Sequence, residues 1–360
     1  LANWNLVGHE LAVRELSAVV TSGRVPHAWI FTGQEGIGRT TLALSFARTL
    51  NCERPVAERP CNSCSSCLRI PNDRARLSHP DVTLADLAWQ AEQFGGGAGR
   101  EGSVRGEFSI EAVRWLRQDI SLRPVQGSWK VQIVDQADRL SFVAPDAFLK
   151  TLEEPPPFAV IILISESLDA VPETIRSRCR HLALGHVPRL EISAALMERG
   201  VTPPTAERIA AAARGRVAWA LELAEDGEEA ALRELQERAV SLNQAIEQIT
   251  TPLGRAEVVT GLSDSKARER RDARLREFIA LWREALLIRA GLAGRVALPE
   301  TGGALRPYAE GLTVQELQAG LRATLRCVAD LEANMQARIA LLAMVTEWPP
   351  LAVTTKAGRR

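Results

Sequence analysis

The stretch that most restricts the fold of this chain runs from Trp29 to Leu50. An apolar run, Trp29-Ile30-Phe31-Thr32, opens into Gly33-Gln34-Glu35-Gly36-Ile37-Gly38-Arg39-Thr40. That turn leads into a segment with Ala43, Phe46, Ala47 and Leu50 on one helical face. Strand, glycine-rich loop and helix in this order make a phosphate cradle, because backbone N–H groups and a helix N-terminus converge on one anion. Read as G-x-x-x-x-G-K-[ST], the loop offers Gly33, Gly36, Gly38, Thr40 and Thr41 to a nucleotide and departs at one position. Arg39 stands where a lysine would reach the terminal phosphates, and a planar guanidinium cannot act as the same compact point charge. The loop reads as inherited from a nucleotide-binding ancestor and then relaxed, with a ligand-free glycine turn as the alternative.

A second apolar strand, Val131-Gln132-Ile133-Val134, ends in Asp135, the residue that holds Mg²⁺ in P-loop NTPases. A glutamate usually follows to activate water. Here the next residue is Gln136, and an amide takes no proton at neutral pH, so the general base is missing.

Of six cysteines, four fall at Cys52, Cys61, Cys64 and Cys67. Two cysteines three residues apart in a tight turn can aim their sulfurs at one centre, and a fourth at the preceding helix end completes a tetrahedron. The expectation is one structural Zn²⁺; an iron–sulfur cluster or unligated thiols are the alternatives.

At 360 residues the chain has room for two or three domains. With 44 basic and 44 acidic residues, nothing global argues for a polyanion partner. No apolar run reaches the length of a membrane span and the first ten residues show no signal-peptide pattern, so a soluble, cytoplasmic protein with no membrane partner is expected.

Along the chain, residues 3–22 read as an amphipathic helix carrying Leu6, Leu11, Leu16 and Val19, and residues 79–84 as a strand. Residues 94–106 read as a flexible glycine-rich insertion, and Ser109 as the cap of a helix with Ile110, Val113, Leu116 and Ile120 inward. That helix's opposite face carries Arg114, Arg117 and Gln118 and reads as a solvated face, with phosphate contacts as the alternative. A helix from Val143 to Glu154 stops at three prolines, and Ala159 to Ser165 is a continuous apolar strand suited to the centre of a parallel sheet. A last strand falls at 181–184. Five strands alternating with helices make a doubly wound α/β domain. From Pro188 onward the pattern is helical, with breaks at Gly200, Gly215, 252–254, 263–265, 291–307 and Gly311, and the mixed-charge run 266–277 reads as a solvated face.

Several segments together carry a family resemblance: His27-Ala28-Trp29-Ile30-Phe31, the four cysteines, Gln126-Gly127-Ser128-Trp129-Lys130-Val131 and Leu149-Lys150-Thr151-Leu152-Glu153-Glu154-Pro155-Pro156. Ser177-Arg178-Cys179 and Ala333 to Leu341 complete the set. Over most of its length the chain resembles the delta-prime family of bacterial clamp-loader subunits, of the DNA polymerase III assembly that opens a sliding clamp and sets it on primed DNA. The resemblance implies an AAA+ P-loop core at 1–186 with a zinc module inserted at 52–67, a small helical lid domain at 187–227 and a C-terminal helical collar domain at 228–360. It implies partners in gamma/tau motor subunits and a delta subunit, with the clamp and primed DNA met through the assembled complex. It also implies that Arg178 acts in trans, as an arginine finger on a neighbour's nucleotide. Arg39, Gln136 and Arg216-Val217-Ala218, where a motor would carry a sensing arginine near position 218, separate the chain from the related gamma/tau ATPases. ATP or ADP binding in the relaxed loop stays open. An active gamma/tau-type ATPase and a zinc-module nucleic-acid regulator are the alternative functions.

Overall fold

The computed structural model describes residues 4–72, 74–94, 107–140, 149, 151–264, 268–292 and 299–349. Most of the glycine-rich insertion, the start of the helix expected from Val143 and Lys266 of the charged run lie outside the described residues. The chain divides into two compact units, Leu1–Ala195 with Gly215–Leu221, and Leu196–Arg214 with Glu222–Arg360.

The first unit is built on five parallel strands, β1 (Ala28–Thr32), β2 (Val82–Ala85), β3 (Lys130–Val134), β4 (Ala159–Ser165) and β5 (Arg180–Ala183), in the order β2-β3-β4-β1-β5. Around them run α1 (Glu10–Ser22), α2 (Arg39–Asn51), α3 (Ser65–Arg69), α4 (Leu87–Phe94), α5 (Ile110–Ser121), α6 (Glu173–Arg176) and α7 (Arg189–Met197). Alternation along the strands splits the core in two. Trp29 and Phe31 of β1 join Val160, Ile162 and Ile164 of β4 and the inner face of α2, whereas Ala28 and Ile30 join Ile161, Leu163 and α5's Val113, Leu116 and Ile120. Both faces of β1 and β4 are therefore covered, which is why β4 is apolar at every position up to Ser165. Each fully buried Val, Leu, Ile or Phe contributes about 1.5–3 kcal/mol of transfer free energy.

The helix expected from residue 3 begins only at Glu10, after Gly8 and His9, both at positive φ. At 3.6 residues per turn Ala12, Val13, Leu16, Val19 and Val20 face inward, and Leu11, about 140° round from Leu16, is exposed, against expectation. Ser109 caps α5 as read, its Oγ accepting the Ala112 N–H at 3.2 Å.

The second unit is helical in its described residues: α8 (Pro203–Ala213), then, after α9 (Val217–Glu225), α10 (Glu228–Thr250), α11 (Pro252–Leu262), α12 (Arg268–Arg289), α13 (Pro299–Glu310), α14 (Val314–Glu332) and α15 (Ala337–Glu347). Thr324 organises its aromatic core: the indole N–H groups of Trp282 and Trp348 donate to Thr324 Oγ1 at 3.1 and 3.2 Å, and that hydroxyl donates to Gly320 O at 2.9 Å. The helical break expected up to Pro307 is shorter, since Pro307 lies inside α13. The charged run is not a uniformly solvated face either. Arg271 is buried and donates to Leu262 O at 3.2 Å, and Arg274 donates to Ser241 O at 2.8 Å, because α12 also turns Leu275 and Phe278 inward.

Candidate functional site

The phosphate loop leaves the C-terminal end of β1 and closes on the first turn of α2. Gly38, its last residue before α2, sits at φ 100°, a backbone state that side-chain-bearing residues rarely adopt. Gly33 is required for space, since a Cβ there would stand 2.8 Å from Leu184 O. The curl is held from outside by groups far away in sequence. Ala218 N–H donates to Gly36 O at 2.9 Å, and His9 Nε2 lies 2.7 Å from Ile37 O and donates to it. Burial holds the His9 pKa below its ordinary value, so the ring is neutral at pH 7.

Within this cradle Thr40 and Asp135, 95 residues apart, are brought together: Thr40 Oγ1 donates to Asp135 Oδ2 at 2.7 Å. Asp135 Oδ1 accepts the Gln136 N–H at 2.8 Å, and Gln136 itself is left-handed at φ 60° with an exposed side chain. Thr41 lies half-buried in the first turn of α2. Arg39 opens that helix, and its buried Nη1 has no hydrogen-bond partner among the described residues. A buried guanidinium nitrogen at a helix N-terminus suits an anion, which the helix dipole also favours.

The four clustered cysteines converge as their spacing implies. Their sulfurs all lie within 4.8 Å of one another, with Cys61 Sγ to Cys67 Sγ at 3.9 Å and Cys64 Sγ to Cys52 Sγ at 4.0 Å. A tetrahedron with Zn–S distances near 2.3 Å has S···S edges of about 3.8 Å, so the donor set fits a cation of that kind. The backbone N–H groups of Cys61, Cys64 and Cys67 approach Cys52, Cys61 and Cys64 sulfurs at 3.5, 3.3 and 3.4 Å, which offsets thiolate charge. N–H donors from Ser63 and then Cys64 hold the Cys61 thiol down to about 5, while burial pushes Cys52 and Cys67 up.

The cysteine loop is clamped to the core by groups that carry no local sequence signal. The buried Arg48 guanidinium donates to Ile70 O at 2.7 Å, Asn62 Oδ1 at 3.1 Å and Asn72 Oδ1 at 2.6 Å. Fully buried Asp81 accepts three backbone N–H groups, Val125 on Oδ1 and Gln126 and Gly127 on Oδ2, each at 2.7 Å. Asn51 meets both the N–H and the C=O of Trp129 at 2.9 and 3.0 Å, and Gln126 reaches Ser65 Oγ at 2.9 Å. The loop 125–129 is thereby pinned between the cysteine module and β3.

Arg178 lies apart from the phosphate loop's contacts. Its Nη2 donates to Glu153 Oε1 at 2.7 Å, and its Nη1 to Thr174 O at 2.7 Å and Ser177 Oγ at 3.2 Å. Arg176 instead pairs with Asp169 at 3.0 Å, and Arg180 pairs with Glu15 at 2.8 Å while lying over the Trp29 ring. Glu153, His9, Arg48 and Asp81 escaped the sequence reading, because each acts on a partner that is remote or on main chain. A Pro-Asp pair just ahead of a strand was the one visible hint.

The family described as "DNA polymerase III, delta subunit" matches residues 8–188. The DNA polymerase III subunit gamma of Buchnera aphidicola subsp. Schizaphis graminum is 31% identical over 50% of this chain and 44% of its own length. The DNA polymerase III subunit tau of Bacillus subtilis is 32% identical over 49% of this chain and 28% of its own. The chain thus spans less than half the length of these relatives. Among solved structures, a gamma-subunit-related protein from Thermotoga maritima aligns with 93% of this chain and 97% of its own at 15% identity and a TM-score of 0.40.

Proposed function

This chain belongs to the DNA polymerase III delta-subunit family and is homologous to the gamma and tau subunits, and on that premise we propose that it is the delta-prime member of a replicative clamp loader. In this reading the phosphate loop is a relic that does not hydrolyse ATP, and Arg178 serves a nucleotide held by the neighbouring gamma/tau-type subunit. One observation carries it. The Thr40–Asp135 pair is assembled as a Mg²⁺ site would need, yet Gln136 follows Asp135 with an exposed amide where a base would stand, and Arg39 replaces the lysine. The machinery for hydrolysis within the chain is incomplete, while a permanently charged guanidinium is displayed elsewhere on a fixed turn.

The architecture proposed with it is an AAA+ core at 1–186, a lid at 187–227 and a collar at 228–360 that joins the other subunits, with clamp and primed DNA reached through the assembly. Cys52, Cys61, Cys64 and Cys67 hold a structural zinc, a role supported by the fit of their sulfurs to a tetrahedron. Four thiolates fill the coordination sphere, so the ion supplies folding energy and not a reactive water.

The test is Arg178→Ala in a complex reconstituted with gamma/tau-type and delta-type subunits. Assembly mass should be unchanged, and clamp- and DNA-stimulated ATP turnover should fall by about 10³-fold if the finger has its usual weight. Arg176→Ala, of equal charge and tied to Asp169, should do much less. Normal turnover and loading by an assembled Arg178→Ala complex would leave the chain a scaffold only.

A further inference from the structure

We propose that Glu153 is a positioning residue for Arg178: it holds the guanidinium in the orientation from which it reaches a phosphate on the neighbouring subunit. The inference rests on the reading of Arg178 given above and adds the residue that aims it.

The geometry favours aiming over a casual surface pair, because both ends of the contact are anchored. On one side Leu152 is buried and its carbonyl accepts a hydrogen bond from His27 Nε2 at 3.0 Å, tying residue 153 to the segment that enters β1. On the other side Ile175 is fully buried, and the turn is closed by Ser177 N–H to Glu173 O at 2.9 Å and Arg178 N–H to Ile175 O at 3.1 Å. Between these fixed points the guanidinium meets three acceptors in two directions, Glu153 Oε1, Thr174 O and Ser177 Oγ. Thr174 and Ser177 belong to arginine's own turn, so among the described residues Glu153 is the contact that fixes the head group from a second element. By contrast, Arg176 leans on Asp169, whose side chain is 92% exposed, against 51% for Glu153.

Holding the head group does not use it up. A guanidinium has five N–H donors, and three are taken by these acceptors, which leaves two for an incoming phosphate oxygen. An arginine that starts ordered loses less rotamer entropy when it binds, so an aimed finger is worth more in the transition state than a free one. The carboxylate is the right partner because a charge-assisted bond is roughly twice as strong as a neutral one.

The experiment measures kcat and KM for clamp- and DNA-stimulated ATP turnover in the reconstituted complex carrying Glu153→Ala, Glu153→Asp, Arg178→Ala or the Glu153→Ala/Arg178→Ala pair. Glu153→Ala should lower kcat about three- to tenfold with KM little changed, the size expected when one charge-assisted contact and its ordering are lost. Glu153→Asp should recover most of that loss. The double variant should be no slower than Arg178→Ala alone, because Glu153 acts only through Arg178. If Arg178→Ala depresses kcat and Glu153→Ala does not, or if the double variant is slower than Arg178→Ala, the positioning role is wrong and the finger stands. If Arg178→Ala itself leaves kcat unchanged, the reading of Arg178 falls and this inference falls with it.

Discussion

Replacing Asp81 with asparagine probes how the cysteine module is fastened to the core. The carboxylate is fully buried and takes three backbone N–H groups at 2.7 Å, two on Oδ2 and one on Oδ1. An isosteric amide keeps a single acceptor oxygen. With that oxygen in the Oδ2 place, two bonds survive as weaker neutral ones, the Val125 bond is lost, and an NH₂ faces an N–H in a dry site. Charge-assisted bonds contribute about 1.5–3 kcal/mol and an unsatisfied buried donor costs about 1–3 kcal/mol, so Asp81→Asn should destabilise the loop by about 3–5 kcal/mol. At 1.36 kcal/mol per power of ten, amide protection at residues 125–127 should fall by about two to four powers of ten in hydrogen-exchange mass spectrometry. The pH dependence has a definite sign. Burial pushes the Asp81 carboxyl up, but the N–H groups of Gly127, Val125 and Gln126 outweigh it and leave the pKa below its ordinary value. The contribution of this group is therefore present above the unfolded carboxylate value of about 3.9 and lost as pH falls through the lower folded value. Asp81→Asn protein with protection within about threefold of wild type at pH 7 would refute the account.

Elemental analysis of purified protein should return one zinc per chain, and Cys67→Ser, which removes one of four mutually close sulfurs, should release the metal and lower the thermal midpoint of the first unit. Visible iron–sulfur absorption would overturn the zinc assignment. The isolated chain should show no ATP turnover that purifies with it and vanishes on Asp135→Asn, since loss of a positioned base alone costs about 10²–10⁴. Gly320→Ala should cost about 1–3 kcal/mol by overpacking, read from urea unfolding of the helical unit, because the new Cβ would sit 2.7 Å from the Trp282 ring. A neutral effect would mean that α14 shifts freely.

The sequence by itself determined what depends on neighbours along the chain. A continuous, β-branched-rich apolar run at 159–165 suits a strand covered on both faces, and Gly33, Gly36 and Gly38 between a strand and a helix suit a tight loop at a helix N-terminus. Cysteines three apart were placed to meet, and Ser109 to cap the helix that follows it, and both contacts form. Periodicity misjudged Leu11 because it stands five residues from Leu16, about 140° round the helix and so off the buried face. It misjudged the run at 266–277 because Arg271 is buried on the helix that also turns Leu275 and Phe278 inward. Only the tertiary structure decided which remote groups hold the site: His9 and Ala218 on the phosphate loop, Arg48 and Asp81 on the cysteine module, Glu153 on Arg178. Each of those contacts joins residues far apart in the chain, often through main-chain atoms that every residue shares, so no local pattern of side chains marks them. Packing brings the partners together, and burial then gives the hydrogen bond its weight.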